Sequence, residues 1–325
     1  MSKPLNTIIN VLIVIVLVGT LAYTGIGLFI HNALADISTG CSNRENRPSQ
    51  FADVTNYFDP ATPNLTPYFM PTYESVLFES REEGVNLSGW YIPSEPGDPV
   101  IISLHGLGSC KYSVVNLYQA GMLHNAGYSV LIMDVRDAGD SDYEDGLSAI
   151  GNEEYLDALG GFDWLQAEKG FEPDQIGILG NSLGAATALI AFSVEPELAA
   201  AFVDSPFDNL PQIIREELTR EGYPQFLYRA ALFGARLRGD DVAFHNPHDA
   251  ITNAAGRPIF ITHGTLDERI GVHHTEQLAS QAGAINEDVE VWIIEGYDHV
   301  KAVGQLPEEY ERRLVAFFDE ALKGE

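Results

Sequence analysis

An α/β fold built on a mostly parallel eight-stranded sheet, with helices on both faces and a single membrane-crossing helix in front, is what this sequence predicts. Three observations predict it. A long charge-free run opens the chain, short β-rich apolar runs then alternate with amphipathic stretches, and one mostly helical segment interrupts that alternation late. Continuous apolar strands joined by helices are the pattern of a parallel sheet covered on both faces.

With 325 residues, 45% of them hydrophobic, the chain can bury a large core. Its formal charge of -29 repels polyanions, which excludes a nucleic-acid partner and any broad attraction to anionic lipid. The acidity reads as a solubility or salt-adapted surface. Cys41 and Cys110 do not make a disulfide framework, and neither has metal-ligand spacing. His245-Asn246-Pro247-His248 is broken by Pro247 and reads as loop histidines. No metal is expected.

Ile8 to Ile30 is a run of 23 residues without a charge. About 20 residues at roughly 1.5 Å each cross a ~30 Å hydrocarbon core. A cleaved signal competes with this, because Ala33-Leu34-Ala35 has the form of a cleavage site. The run is longer than a signal core of about 7 to 15 residues, so residues 1–35 are expected to be an uncleaved anchor. The short basic N-terminus puts the start of the chain inside and the domain on the non-cytoplasmic side. Residues 36–71, rich in Asn, Ser, Thr and Pro, are expected to be a linker that lifts the domain off the membrane.

The domain then runs from 72 to 325. Ser75 to Phe78 and Asn86 to Ile92, separated by Arg81-Glu82-Glu83-Gly84, predict an antiparallel hairpin. Further strands are expected at Val100 to Leu104, Tyr128 to Asp134, Gln175 to Leu179, Ala199 to Asp204, Pro258 to His263 and Val289 to Glu295. The interruption at about 206–252 is expected to form a lid. It carries Phe207, Ile213, Phe226, Leu227, Tyr228, Leu232 and Phe233. Between Gly222 and Gly239 it also holds Arg229, Arg236 and Arg238 and no acidic residue; a solvated helix face is the usual reason for such a cluster, and the alternative is a segment that faces the membrane or an anionic lipid-like substrate.

The candidate nucleophile is Ser182 in Gly180-Asn181-Ser182-Leu183-Gly184, with a strand directly before and a helix directly after. Such a serine sits on a strained turn that needs glycine on either side, and the following helix aims its first amides at developing negative charge. A base must take the serine's proton, and a carboxylate must orient the base. His299 follows the last strand and Asp267 the one before it, so Ser182, Asp267 and His299 come in nucleophile–acid–base order. Asp204 also follows a strand and could supply the carboxylate in a variant arrangement. An oxyanion needs paired donors, and the backbone amides of Leu107, in the loop after the first central strand, and Leu183 are the expected pair. The set needs no cofactor and no metal.

Ser88-Gly89-Trp90-Tyr91-Ile92-Pro93, the His105-Gly106 loop, Asp134-Val135-Arg136, the Ser182 elbow, His263-Gly264-Thr265-Leu266-Asp267 and Asp298-His299 together resemble the α/β-hydrolase superfamily over about residues 74–323. The likeness is nearest to its membrane-associated, single-anchor serine hydrolases. It implies esterase, thioesterase or related acyl-hydrolase activity on a small-molecule or lipid-like acyl substrate. Serine peptidases and a few non-catalytic proteins share that fold. Asp137 stands where such relatives usually have glycine, which leaves the shape of the adjoining pocket open.

Overall fold

The computed structural model describes residues 3–37, 41, 44–240, 242, 244–285 and 288–324. Helix α1 (Lys3–Ala35) precedes the hairpin β1 (Glu74–Glu79) and β2 (Asn86–Ile92). Then follow β3 (Val100–Leu104), α2 (Val114–Asn125), β4 (Ser129–Met133), α3 (Glu154–Trp164), β5 (Ile176–Asn181), α4 (Leu183–Val194) and β6 (Ala200–Asp204). The lid contributes α5 (Leu210–Arg220), α6 (Tyr228–Arg238) and α7 (Asp249–Asn253). The chain closes with β7 (Ile259–Gly264), α8 (His273–Ile285), β8 (Val289–Ile294), α9 (Ala302–Gln305) and α10 (Pro307–Phe318).

All eight expected strands form one sheet in the order β1-β2-β4-β3-β5-β6-β7-β8. Pairing is antiparallel for β1 with β2 and for β2 with β4, and parallel for the rest. From β3 to β7 every strand residue is buried, which is why these runs read as continuously apolar. Alternation sends Ile102, Leu131 and Ile178 to the face covered by α3, α4, α7 and α8, and Ile101, Ile132 and Leu179 to the face covered by α2 and α10. A third cluster lies above the sheet's carboxyl edge, where Phe207, Ile213 and Ile214 of the lid meet Leu183 and Ile30 of α1.

Within α1, Thr7–Ala35 is a 29-residue span, with a mean hydropathy of 2.4 over its most apolar 18-residue window, long and apolar enough to cross a membrane. Its first half stands clear of the domain, while Gly27, Ile30, His31 and Ala35 are buried.

Two expectations about the stretch behind it are corrected. Of the expected linker 36–71, residues 38–40, 42 and 43 lie outside the described residues, and the stretch 44–71 does not behave as a spacer, since Phe51, Phe58 and Met70 are buried in the core on the α2 face. The Asp53 carboxylate folds the segment locally by accepting from the Tyr57 and Phe58 amides at 2.7 and 2.8 Å. Polar composition hid a few well-spaced aromatic anchors. The cysteines are paired after all: Cys41 and Cys110 form a disulfide across 69 positions, a separation with no local signal. It ties this segment to the loop after β3.

Candidate active site

Ser182 sits at the junction of β5 and α4 with φ 57° and ψ -120°, a strained conformation for a side chain of any size. Crossing backbones explain the flanking glycines. A Cβ on Gly180 would lie 2.1 Å from the Gly184 carbonyl oxygen, and one on Gly184 would lie 2.4 Å from that of His105. The Ser182 amide donates to the Asp204 carbonyl at 2.8 Å, which fixes the turn to the neighbouring strand. Leu183 opens α4, so its amide has no partner within the helix and stands at the positive end of the helix dipole. The loop after β3 presses against the elbow, because a Cβ on Gly106 would come within 3.1 Å of the Ser182 Cβ. Leu107 therefore lines the same space as Ser182.

Past β7, Asp267 is almost fully saturated. Its Oδ1 accepts from the Arg269 and Ile270 amides at 2.9 and 2.8 Å. Its Oδ2 lies 2.6 Å from His299 Nδ1 and 3.1 Å from His263 Nε2. Burial alone would raise this carboxyl, but the bonds from His263 and His299 hold it well below the usual carboxylate range. With Nδ1 committed to Asp267, His299 keeps Nε2 for the cleft. Its backbone is also fixed: the amide donates to Asp298 Oδ1 at 2.7 Å and the carbonyl accepts from the Tyr57 hydroxyl at 2.9 Å.

Asp204, the alternative carboxylate, bonds instead to the Ser205 and Tyr310 hydroxyls, each at 3.0 Å. Burial pushes it up to about 6. It belongs to a buried polar chain in which Asn181 exchanges hydrogen bonds with Gln119, Gln119 donates to Tyr310, and Tyr310 donates to Asp204. That chain braces the underside of the elbow.

Two cavities meet at Ser182. One is an open cleft enclosing ≈960 Å³ of empty space, mouth included, lined by Ser182, His299, Leu107, Arg269, Thr55 and Tyr57 among others. The other, ≈520 Å³ of empty space with its open mouth counted in, is mostly aliphatic and is lined by Leu107, Leu183, Phe207, Ile213, Ile270 and Leu34 beside Ser182. Sequence reasoning missed Tyr57, Leu34 and Arg269. The first two lie in stretches whose composition signalled only anchor and linker, while Arg269 could have been found by its place two residues after Asp267. Asp137 does not line either cavity; it adopts a φ of 58°, and its Oδ1 gathers the amides of Glu144, Asp145 and Gly146. It fills glycine's conformation and caps a turn.

Among the described residues, Glu216, His273 and His274 bring three potential metal-ligand atoms within 4.8 Å of one another. These atoms are engaged in an ion-pair cluster, with Glu216 at 3.0 Å from both histidines and His274 also bonded to Asp208.

Residues 114–325 match the model of the prolyl oligopeptidase family. An uncharacterized protein of Mycobacterium tuberculosis is 32% identical over 206 residues, 62% of this chain and 67% of that one. Human protein ABHD12B is 29% identical over 200 residues, 58% of this chain and 51% of that one, and thiohydrolase aneE of Aspergillus aculeatus is 28% identical over 179 residues, 52% of each. Among solved structures, the Pyrococcus furiosus esterase Pf2001 superposes with a TM-score of 0.64 at 25% identity, covering 81% of this chain and 95% of that one. The acylaminoacyl peptidase of Pyrococcus horikoshii has a TM-score of 0.59 at 18% identity, over 78% of this chain and 42% of that one, a likeness of fold alone. With its sheet order and its serine elbow, this chain belongs to the prolyl oligopeptidase family and is a hydrolase of the α/β-hydrolase fold.

Proposed function

We propose that the chain is a membrane-anchored serine hydrolase that cleaves carboxylic ester or thioester bonds through an acyl-enzyme on Ser182. The observation that carries this reading is the 2.6 Å bond between Asp267 and His299 at the edge of the cleft that Ser182 lines. His299 Nε2 takes the Ser182 proton as Oγ attacks the acyl carbon. The carbonyl oxygen gains negative charge and accepts hydrogen bonds from the Leu107 and Leu183 amides. Collapse breaks the bond to the alcohol or thiol, which leaves with the proton from His299. Water then loses a proton to His299, attacks the acyl carbon, and releases the acid as Ser182 recovers its proton.

Two similarities favour ester and thioester substrates over peptides: the esterase superposes over most of this chain, and a thiohydrolase is among its relatives. The aliphatic cavity beside Ser182 suits a lipid-like acyl group better than a chain of peptide units, whose buried amides would need partners there. Peptidase activity remains the second reading because the matching family model is one of peptidases. The Cys41–Cys110 disulfide supports a domain on the non-cytoplasmic side, where disulfides persist.

A fluorophosphonate probe tests the nucleophile. Wild type is expected to label and Ser182→Ala to stay unlabelled; equal labelling of the two sinks the proposal. Faster cleavage of aminoacyl-amides than of p-nitrophenyl esters would move the assignment to the peptidase reading.

A further inference from the structure

We infer that the membrane helix α1 is a wall of the acyl-binding cavity, and that an amphiphilic substrate's acyl chain reaches Ser182 from the bilayer along α1 and the lid helix α6. The inference rests on the hydrolase reading above and adds the route and a residue that sets chain length.

Leu34, in the last turn of α1, lines the aliphatic cavity together with Ile213 and Phe207 of the lid and Leu183 of the elbow. The two charged residues of that lining, Glu217 and Arg269, lie 3.6 Å apart and offset each other. What is left for a ligand is an apolar cavity that borders Ser182 and to which α1 contributes Leu34.

The contact between α1 and α6 is too close to be incidental. A Cβ on Gly27 would lie 2.2 Å from the Ala230 carbonyl oxygen, and one on Gly234 would lie 2.3 Å from the Gly27 backbone. Such spacing between small residues lets two helices touch backbone to backbone, as membrane helices do. Tyr23 packs on Phe233 with ring centroids 5.7 Å apart, Phe29 on Tyr223 at 6.4 Å, and His31 Nε2 meets Asp240 Oδ2 at 2.8 Å. The lid is thereby fastened to α1 from Tyr23 to His31, about two turns.

Depth fixes where this happens. Counted from Ile8, the start of the charge-free run, a ~30 Å hydrocarbon core at ~1.5 Å per residue ends near Gly27. Gly27 is the crossing point with α6, so the lid helix lies at the membrane surface. Exposed side chains on it and just before it have the composition of that zone, with Phe226, Leu237 and the half-covered Phe233 beside Arg229, Arg236 and Arg238. Leu34 stands about two turns further on, a short slide for an acyl chain leaving the bilayer.

The test uses full-length protein in phosphatidylcholine nanodiscs and compares kcat/KM for p-nitrophenyl laurate with that for p-nitrophenyl butyrate. Leu34→Trp narrows the slot from the anchor side, and Ile213→Trp narrows it from the lid side. Both are expected to lower the laurate-to-butyrate ratio at least fivefold. A Leu34→Trp ratio that falls by less overturns the inference, whether or not Ile213→Trp responds. If Leu34→Trp does not fold, Leu34→Ala replaces it and should raise the same ratio at least threefold; no rise overturns the inference. Fluorophosphonate labelling separates the two levels. A wild type that neither labels nor turns over either ester removes the hydrolase reading and this inference with it, whereas labelled protein with an unmoved ratio removes this inference alone.

Discussion

Asp267, through His299, and Leu34, as a cavity wall, come to the surroundings of Ser182 from opposite ends of the chain and are held there in opposite ways. Asp267 is pinned by four hydrogen bonds at the end of a buried strand, within the stretch that matches the family model. Leu34 lies outside that stretch, half-buried on a helix whose first half stands clear of the domain. The difference separates two tasks. Groups that move protons need sub-ångström placement, which saturated polar networks on a rigid sheet supply. Groups that choose a substrate need shape, which apolar packing supplies and which can be remodelled from outside the sheet. Tyr57 bridges the two, since it lines the cleft and bonds the His299 carbonyl from the N-terminal segment.

The largest effect is expected on the rigid side. Asp267→Asn keeps the shape but loses the charge and the tautomer control over His299, and should lower kcat for a short ester by about 10³ to 10⁴. A loss under tenfold would mean that the Asp267–His299 bond does not orient the base.

Next comes the disulfide, which joins the two regions. Closing a loop with 69 positions of separation is worth about 4 kcal/mol in the chain-entropy picture. Cys41→Ser with Cys110→Ser should therefore lower the denaturation midpoint of the domain markedly. If residues 36–71 were only a spacer, thermal unfolding in detergent would show almost no change.

A smaller effect belongs to Asp204. Its folded pKa of about 6 lies above its ordinary 3.8, so its protonated form is favoured by folding. The stabilising contribution is complete below about pH 4 and is lost as pH rises through about 6. That loss amounts to at most about 3 kcal/mol, at ~1.4 kcal/mol per unit. Relative to Asp204→Asn, wild type should lose that much unfolding free energy between pH 4 and pH 7, and parallel stability curves would refute it. Asp267 has the opposite sign: its contribution is present above its ordinary range and persists until strongly acid pH.

The smallest effect concerns the lid surface. Replacing Arg229, Arg236 and Arg238 by Gln should raise KM several-fold for an anionic amphiphile in nanodiscs, at about 1 kcal/mol or less per charge, and leave kcat alone. An equal rise for an uncharged amphiphile would show that charge is not the reason.

The eight strands were legible because a strand buried on both faces must be apolar throughout, and Val100 to Leu104 or Ala200 to Asp204 can hardly be anything else. Ser182, Asp267 and His299 were legible because each follows such a strand, and glycines mark the elbow where backbones cross. Leu34, Tyr57 and the Cys41–Cys110 pair were not. Their partners lie far away in sequence, and nothing in the neighbouring residues announces them.

Local pattern therefore determined the elements, the sheet and the candidate groups at its carboxyl edge, since burial and turn geometry act over a few residues at a time. The tertiary structure alone decided that Asp204 turns to Ser205 and Tyr310 instead of His299, that the segment after the long apolar helix closes onto the domain, and that the helix itself borders a cavity at Ser182. Those outcomes depend on which distant surfaces come within van der Waals and hydrogen-bonding range, a distance that periodicity does not encode.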